Sequence, residues 1–453
     1  MAANGDLIEL KLDTLGHGGE AIGRYRGLVV FVPEGIPGEK VRVKIKERKK
    51  NYARGEIKEI LTPAPERKEP ECEVFGLCGG CHLQQMDYSL QLLHKQKIVK
   101  DTLERIGGFE EVRVNEVIGA DHPWIYRNKA QFPLGSDNEG RVITGFYQKG
   151  THQVVPHRQC VIQHPLINRI ARKTISILNN YDLTVYDEKT HTGLLRHLVV
   201  RVGICTNQAL LIFVTRDKKF KELQEIARKL MTEIPELKGV LQNINPRRTN
   251  VIMGDKTLLI KGNDYYIDYI GSIRYAISPH SFFQVNTLQT ERLYNTVRKY
   301  AGLSGQETVV DAYCGAGSIG IYLAGEARTV YGIEVVGSAI EDAERNAALN
   351  GINNCIFIKG KVEDKLPELV DKKKIKPDVI IFDPPRKGLD KETMATVLEV
   401  LPPKIVYVSC NPATLARDLK EIKACYDINE VQPVDLFPQT YHVECVVKLE
   451  SNV

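Results

Sequence analysis

VVDAYCGAGSIGIYLAGEARTVYGIE, residues 309–334, reads as a short apolar strand, a Gly-rich turn, a helix and a second apolar strand that ends in Glu334. The small residues of Asp311-x-x-Cys314-Gly315-x-Gly317-x-x-Gly320 let backbone N–H groups approach a ligand with no Cβ in the way. Glu334 falls at a strand tip, where a ribose diol would lie if a nucleoside crossed the sheet edge. Such a turn also serves flavin and nicotinamide enzymes. The leading Asp311 separates the cases, because an acidic group before the loop suits a cationic ligand and repels a pyrophosphate. S-adenosyl-L-methionine is the cofactor this reading selects.

Downstream, the apolar run Val379–Phe382 is a buried parallel strand ending in Asp383-Pro384-Pro385-Arg386-Lys387-Gly388. Ligands of a doubly wound sheet lie beyond the carboxyl ends of its strands, which sets Asp383 beside the cofactor. The next strand, residues 405–409, delivers Cys410 to the same edge, before a helix that starts at Pro412. A thiol near a helix N-terminus tends toward thiolate, so Cys410 is the candidate nucleophile. In the last strand, His442-Val443-Glu444-Cys445, alternation sends Glu444 and Cys445 to opposite faces, with Cys445 assigned to the core. A carboxylate in an apolar strand needs a reason, and a general base is one. Phe282 and Phe283 beside Gln284 offer a stacking surface next to an amide, although a core role is as ordinary for phenylalanine.

The whole chain has 453 residues, enough for two or three domains. It carries 62 basic and 57 acidic residues, no apolar run of about 20 residues and no secretory leader, and reads as cytoplasmic. Three domains are expected: 1–62, 63–270 and 271–453. In the first, alternating strands between Gly- and Pro-rich turns predict a small β-barrel. Arg42, Lys44, Lys46, Arg48, Lys49, Lys50, Arg54 and Lys58, against Glu47 and Glu56, form a basic strip suited to a phosphate backbone. A solvated face is the plainer reading of the same run.

Three thiols, Cys72, Cys78 and Cys81, lie within ten residues. In a reducing compartment such a group shares a metal ion or iron–sulfur cluster, with Cys160 as fourth ligand. A 4Fe-4S cluster acting as a structural staple is the expected occupant. Zinc, with His82 or His157 in reserve, and free core thiols are the alternatives. Residues 88–106 predict a helix whose apolar face is Leu92, Gln96, Val99, Leu103 and Ile106, leaving Lys95, Lys97 and Lys100 off the stripe; it could pack on the catalytic domain. Residues 120–270 alternate as a mainly antiparallel sheet with helices, an α+β platform.

A thiolate, a base and a methyl donor define one reaction well. Addition of Cys410 to C6 of uracil makes C5 nucleophilic, C5 takes the methyl group, and Glu444 removes the C5 proton before the thiol leaves. With these residues on the page, the chain resembles the RNA uracil-5-methyltransferases, and among them the bacterial 23S ribosomal RNA enzymes. The resemblance implies an N-terminal TRAM domain that binds RNA, a 4Fe-4S cluster on Cys72, Cys78, Cys81 and Cys160, and a C-terminal Rossmann-like methyltransferase domain. It places cofactor contacts on Gln284, Tyr313, Glu334 and Asp383, the nucleophile on Cys410 and the base on Glu444. It also implies a target uridine flipped out of its RNA fold, and a monomer with neither DNA nor membrane as partner. Ser318 stands where some members have Asn, which leaves its contact open. The family's long-known transfer-RNA enzymes lack the TRAM module and the cysteine set, so 23S rRNA is the expected substrate. The alternatives are a tRNA uracil-5-methyltransferase, an RNA cytosine-5-methyltransferase, and a non-enzymatic RNA-binding iron–sulfur protein.

Overall fold

The computed structural model describes residues 3–372 and 374–453. At the N-terminus β1 (Leu7–Leu15), β2 (Ala21–Tyr25), β3 (Leu28–Val32), β4 (Lys40–Arg48) and β5 (Tyr52–Thr62) close into a barrel in the order β1-β2-β3-β5-β4. Strict alternation in β4 makes this possible: Val41, Val43 and Ile45 are fully buried while Lys40, Lys44 and Lys46 face out. The basic strip is less positive than its sequence. Register sets Glu9 of β1 and Glu59 of β5 on either side of Arg42, and both pair with it. Lys40 pairs with Glu9, Lys49 with Glu47, and Lys46 and Lys58 with Glu56.

Helix α1 (Tyr88–Thr102) starts on an N-cap from Asp87 to the Ser89 amide and ends in one wider π turn, Leu103–Gly107, closed by Gly108 at φ 71°. Its buried face is the expected one only in part, since Val99 and Leu103 are buried. Gln91, His94, Lys95, Ile98 and Val99 point inward, and Ile106 is largely exposed. Lys95, off the expected apolar stripe, is fully buried and donates to Asp435 at 2.6 Å and to the Phe437 carbonyl at 3.1 Å. Tyr88 donates to the other Asp435 oxygen at 2.8 Å. Hydrogen bonds to the catalytic region, together with Val99 and Leu103 in its apolar core, therefore set the helix's rotation.

The central sheet contains β6 (Lys129–Ser136), β7 (Val142–Tyr147), β8 (Val154–Pro156), β9 (Leu195–Val202), β10 (Ala209–Thr215), β11 (Leu237–Ile244) and β12 (Lys256–Gly262). Its order is β12-β11-β10-β9-β6-β7-β8, antiparallel except between β10 and β11. Helices α2 (Pro165–Leu178) and α3 (Leu223–Glu233) cover one face through Leu166, Ile170, Ile226 and Leu230. The other face, with Val199, Leu210 and Ile212, shares its core with the C-terminal part of the chain. Strand β9 is consequently buried along its whole length.

A hairpin of β13 (Tyr266–Ile270) and β14 (Ile273–Ile277) and then α4 (Thr287–Ala301) lead into the second large sheet. It alternates β15 (Thr308–Ala312), α5 (Ser318–Leu323), β16 (Thr329–Glu334), α6 (Gly337–Leu349), β17 (Cys355–Lys359), α7 (Val362–Pro367), β18 (Val379–Phe382), α8 (Lys391–Val400), β19 (Lys404–Ser409) and α9 (Pro412–Ile422), and closes with β20 (Tyr426–Val434) and β21 (Glu444–Ser451). The order β17-β16-β15-β18-β19-β21-β20 is parallel up to β19, and β21 inserts antiparallel between β19 and β20. This is the expected architecture: a small β-barrel, a central α+β region and a Rossmann-like α/β sheet with its switch point between β15 and β18. Among the described residues no helix is long and apolar enough to cross a membrane.

Candidate active site

The carboxyl edge of the second sheet gathers the expected residues by topology. Tyr313 follows β15, Glu334 ends β16, Asp383 follows β18 and Cys410 follows β19. Because β21 runs antiparallel, its first residue lies at that same edge: Ser409 of β19 faces Cys445, which sets Glu444 one step beyond, level with Cys410. A parallel strand there would have carried its acid to the opposite end.

Each group is held. Glu334 accepts from the amides of Gly315 at 3.2 Å and Val336 at 2.8 Å, so its carboxylate is fixed against the Gly-rich turn. Val335 and Val336 stand more than half exposed beside it. Tyr313 adopts φ 67°, and its hydroxyl meets Thr393 Oγ1 at 3.1 Å. The Gln284 turn is gripped from the central sheet. Asn128 donates to the Gln284 carbonyl at 2.8 Å and to Thr287 at 3.0 Å. Arg201 of β9 donates to the carbonyls of Ser278, Pro279 and Ser281 at 2.7, 3.1 and 2.8 Å. Asn411 reaches the Arg386 carbonyl at 3.2 Å, tying the Cys410 turn to the Asp383 turn, and its Oδ1 caps α9 at the Ala413 amide. Sequence reasoning missed these supports. Arg386 was visible inside the Asp-Pro-Pro-Arg run, while Arg201 and Asn128 carried no local signal.

Asp311 leads the Gly-rich turn, and its Oδ1 has no hydrogen-bond partner among the described residues. It is buried beneath the turn, and Oδ2 accepts the Gly320 amide at 2.8 Å, which pins α5 to β15. Ser318, whose contact was open, meets the Tyr294 hydroxyl at 2.8 Å.

The electrostatics are those of crowded acids. Burial first, then the neighbouring Asp383, pushes Glu444 up to about 8, with Arg386 opposing. Burial pushes Asp383 up to about 7, and burial with Asp383 and Glu334 nearby pushes Asp311 to about 7. Cys410 rises to about 11 through burial and then Glu444, again opposed by Arg386. The expected thiolate tendency is thus reversed in the free protein. The helix-capping position belongs to Asn411, and burial and then the neighbouring Glu444 raise the thiol. A cavity of about 170 Å³ opens over Cys410, lined by Arg386, His442, Val443 and His17 of the barrel.

The residues fit S-adenosyl-L-methionine. An oriented carboxylate flanked by exposed valines suits a nucleoside, and the mutually destabilised acids suit a cation. They do not fit the expected 4Fe-4S cluster. Cys72, Cys78, Cys81 and Cys160 line one cavity of about 300 Å³. Among the described residues, however, no group of three or more His, Cys, Asp or Glu side chains is placed to hold a metal ion. All four are free thiols. The zinc alternative falls with the cluster: His157 stacks on Phe146 and His82 packs on Tyr441.

A doubly wound sheet with this edge, joined to an RNA-type barrel, defines an S-adenosylmethionine-dependent RNA methyltransferase. The chain belongs to the tRNA (Uracil-5-)-methyltransferase family, which matches residues 87–452, and the TRAM domain matches residues 2–58. An uncharacterized RNA methyltransferase of Bacillus cereus is 45% identical over 98% of this chain and 96% of its own length. Another, from Caldanaerobacter subterraneus, is 45% identical over 98% of both. The structure of the Pyrococcus abyssi tRNA (uracil-54, C5)-methyltransferase with S-adenosyl-L-homocysteine superposes with a TM-score of 0.78 at 28% identity, over 97% of this chain and 99% of that one. The expectation of a cluster-bearing 23S rRNA enzyme is corrected on both counts. Among the described residues no three metal-ligating side chains are placed to hold a metal ion, and one full-length structural likeness is to a transfer-RNA enzyme.

Proposed function

We propose that this chain methylates C5 of a uridine in transfer RNA. The observation that carries the chemistry is the antiparallel insertion of β21, which sets Glu444 beside Cys410 at the cofactor edge. Transfer RNA is favoured because the likeness to the Pyrococcus abyssi enzyme spans 97% of the chain, barrel included, so a barrel no longer argues for ribosomal RNA.

In this reading Cys410 gives up its proton to solvent and, as the thiolate, adds through Sγ to C6 of the flipped uracil, moving the C5–C6 electron pair onto C5 and O4. S-adenosyl-L-methionine, when bound against Gln284, Tyr313, Glu334 and Asp383, supplies the methyl group that C5 receives. Glu444 then takes the C5 proton, the C5–C6 double bond re-forms, and the C6–S bond breaks to return the thiolate. A carboxyl pushed up to about 8 is a stronger base once ionised than an ordinary glutamate. The cation of Arg386 favours the ionised forms of both Cys410 and Glu444.

The test uses tRNA and 23S rRNA transcripts tritiated at uridine C5, with S-adenosyl-L-methionine and three proteins. Wild type is expected to release tritium from tRNA, Cys410→Ala to release none, and Glu444→Gln to accumulate a covalent protein–RNA adduct. Release from 23S rRNA alone would reassign the substrate. Full release by Cys410→Ala would reject the mechanism.

A further inference from the structure

Four rings crowd the rim of the Cys410 cavity and have no part in the reaction above. Tyr441 is their centre, with its ring centroid 4.3 Å from His442, 4.7 Å from His82 and 6.1 Å from His17. They come from three distant stretches: the turn after β1, the segment after the cysteines, and the turn before β21. That convergence is built by specific bonds. The amides of His82 and Leu83 both donate to the Gln439 carbonyl, at 2.9 and 3.1 Å. Gln91 of α1 pairs with the Gln439 side chain at 3.0 Å and with its amide at 3.1 Å. The barrel turn fits because Gly19, at φ 82°, has no side chain. A Cβ there would lie 3.0 Å from Leu83 Cδ2 and 3.7 Å from Tyr441 Cβ.

A packing cluster would bury its members and satisfy their polar atoms, and this one does neither. His17 is exposed, Tyr441 and His442 are half-buried, and the buried Nδ1 of His82 has no hydrogen-bond partner among the described residues. His17, Tyr441 and His442 line the cavity that contains Cys410. The target base must occupy that cavity to meet the thiol, so the strand entering or leaving it passes over the rim. Aromatic side chains stack unpaired bases without regard to sequence.

We infer that His17, His82, Tyr441 and His442 form a second nucleobase subsite, shared by the barrel and the catalytic region, that stacks the unpaired base adjoining the target uridine. The inference rests on the RNA-uracil reading above and adds a role for the barrel: it completes the active-site rim. The substrate it selects is a uridine whose neighbour is also unstacked.

The probe is a short single-stranded RNA with one 5-fluorouridine and a 2-aminopurine on its 5′ or 3′ side, mixed with the full-length protein and S-adenosyl-L-methionine. Stacking quenches 2-aminopurine, while a stable adduct between 5-fluorouridine and Cys410 reports the chemistry separately. Wild type and Tyr441→Phe are expected to quench one of the two probes. Tyr441→Ala and His17→Ala lose the quench and bind roughly tenfold more weakly. An abasic neighbour weakens wild type to a similar extent but does not weaken Tyr441→Ala further. An adduct without quenching in wild type, or an abasic penalty equal in wild type and Tyr441→Ala, overturns the subsite. Quenching without an adduct overturns the uracil reading and leaves the subsite standing.

Discussion

Glu444 opens a strand and is almost fully buried, and its carboxyl is raised to about 8 by burial and by Asp383. A carboxyl raised above its unfolded value binds its proton more tightly in the folded state. Its contribution to stability is therefore complete below the unfolded value near 4.5 and is lost as pH rises through about 8. Across that window each pH unit removes up to about 1.4 kcal/mol per such group. Thermal unfolding from pH 5 to 9 should show wild type losing stability on the alkaline side and Glu444→Gln losing less, so that the variant melts higher at pH 8. A variant that tracks wild type across the range would mean that the site is wetter than its burial implies. Cys410 gives a second prediction. With its thiol raised to about 11, alkylation by iodoacetamide should be slow at pH 7 and climb about tenfold per pH unit. Arg386→Gln should slow it further at every pH, because Arg386 is the cation that lowers this thiol.

At the scale of elements, the strand-end residues were legible because a parallel strand followed by a Gly-rich or Pro-rich turn has one address, the carboxyl edge. Residues 309–334, 379–388 and 405–412 all folded as read. Helix α1 was legible as a helix but only in part in its rotation. Apolar periodicity found the Val99 and Leu103 contacts, but α1 also faces Asp435 and Gln439, more than 300 positions away in the chain, where Lys95 and Gln91 are the matching groups. The cysteines misled for a related reason, since spacing shows that thiols are near one another but not that they converge on a point. Strand β9 hides a support of the same long-range kind. Arg201 is buried with three carbonyls of the 278–281 turn on its guanidinium, and that turn carries Gln284. Arg201→Ala strands those carbonyls and should cost about 3 kcal/mol in urea unfolding. Where the variant still folds, KM for S-adenosyl-L-methionine should rise more than kcat falls. Arg201→Lys, with one compact ammonium for a planar fork, should recover only part of either.

At the scale of the molecule, the barrel's grip on RNA depends on which charges its own fold leaves unpaired. Read along the chain, the stretch from Arg42 to Lys58 opposes eight cations with two acids, but closing the barrel brings Glu9 and Glu59 against Arg42 across two strand registers. Arg42, Lys46, Lys49, Arg54 and Lys58 are engaged in ion pairs, and Lys44, Arg48 and Lys50 are in none among the described residues. Surface pairs of this kind hold their charge close without adding much stability. Each phosphate neutralised by a free cation releases a counterion and steepens the fall of binding with salt. Filter binding of tRNA across a salt series should therefore separate the two sets. Neutralising Lys44, Arg48 and Lys50 together to Gln should flatten the log–log slope by up to about 3, while Arg42→Gln should change it by well under 1, because its loss frees Glu9 and Glu59 and lowers affinity with little change in counterion release. Equal slope changes per residue in the two sets would mean that RNA breaks the barrel's ion pairs on binding. The whole strip would then act as the sequence alone portrays it.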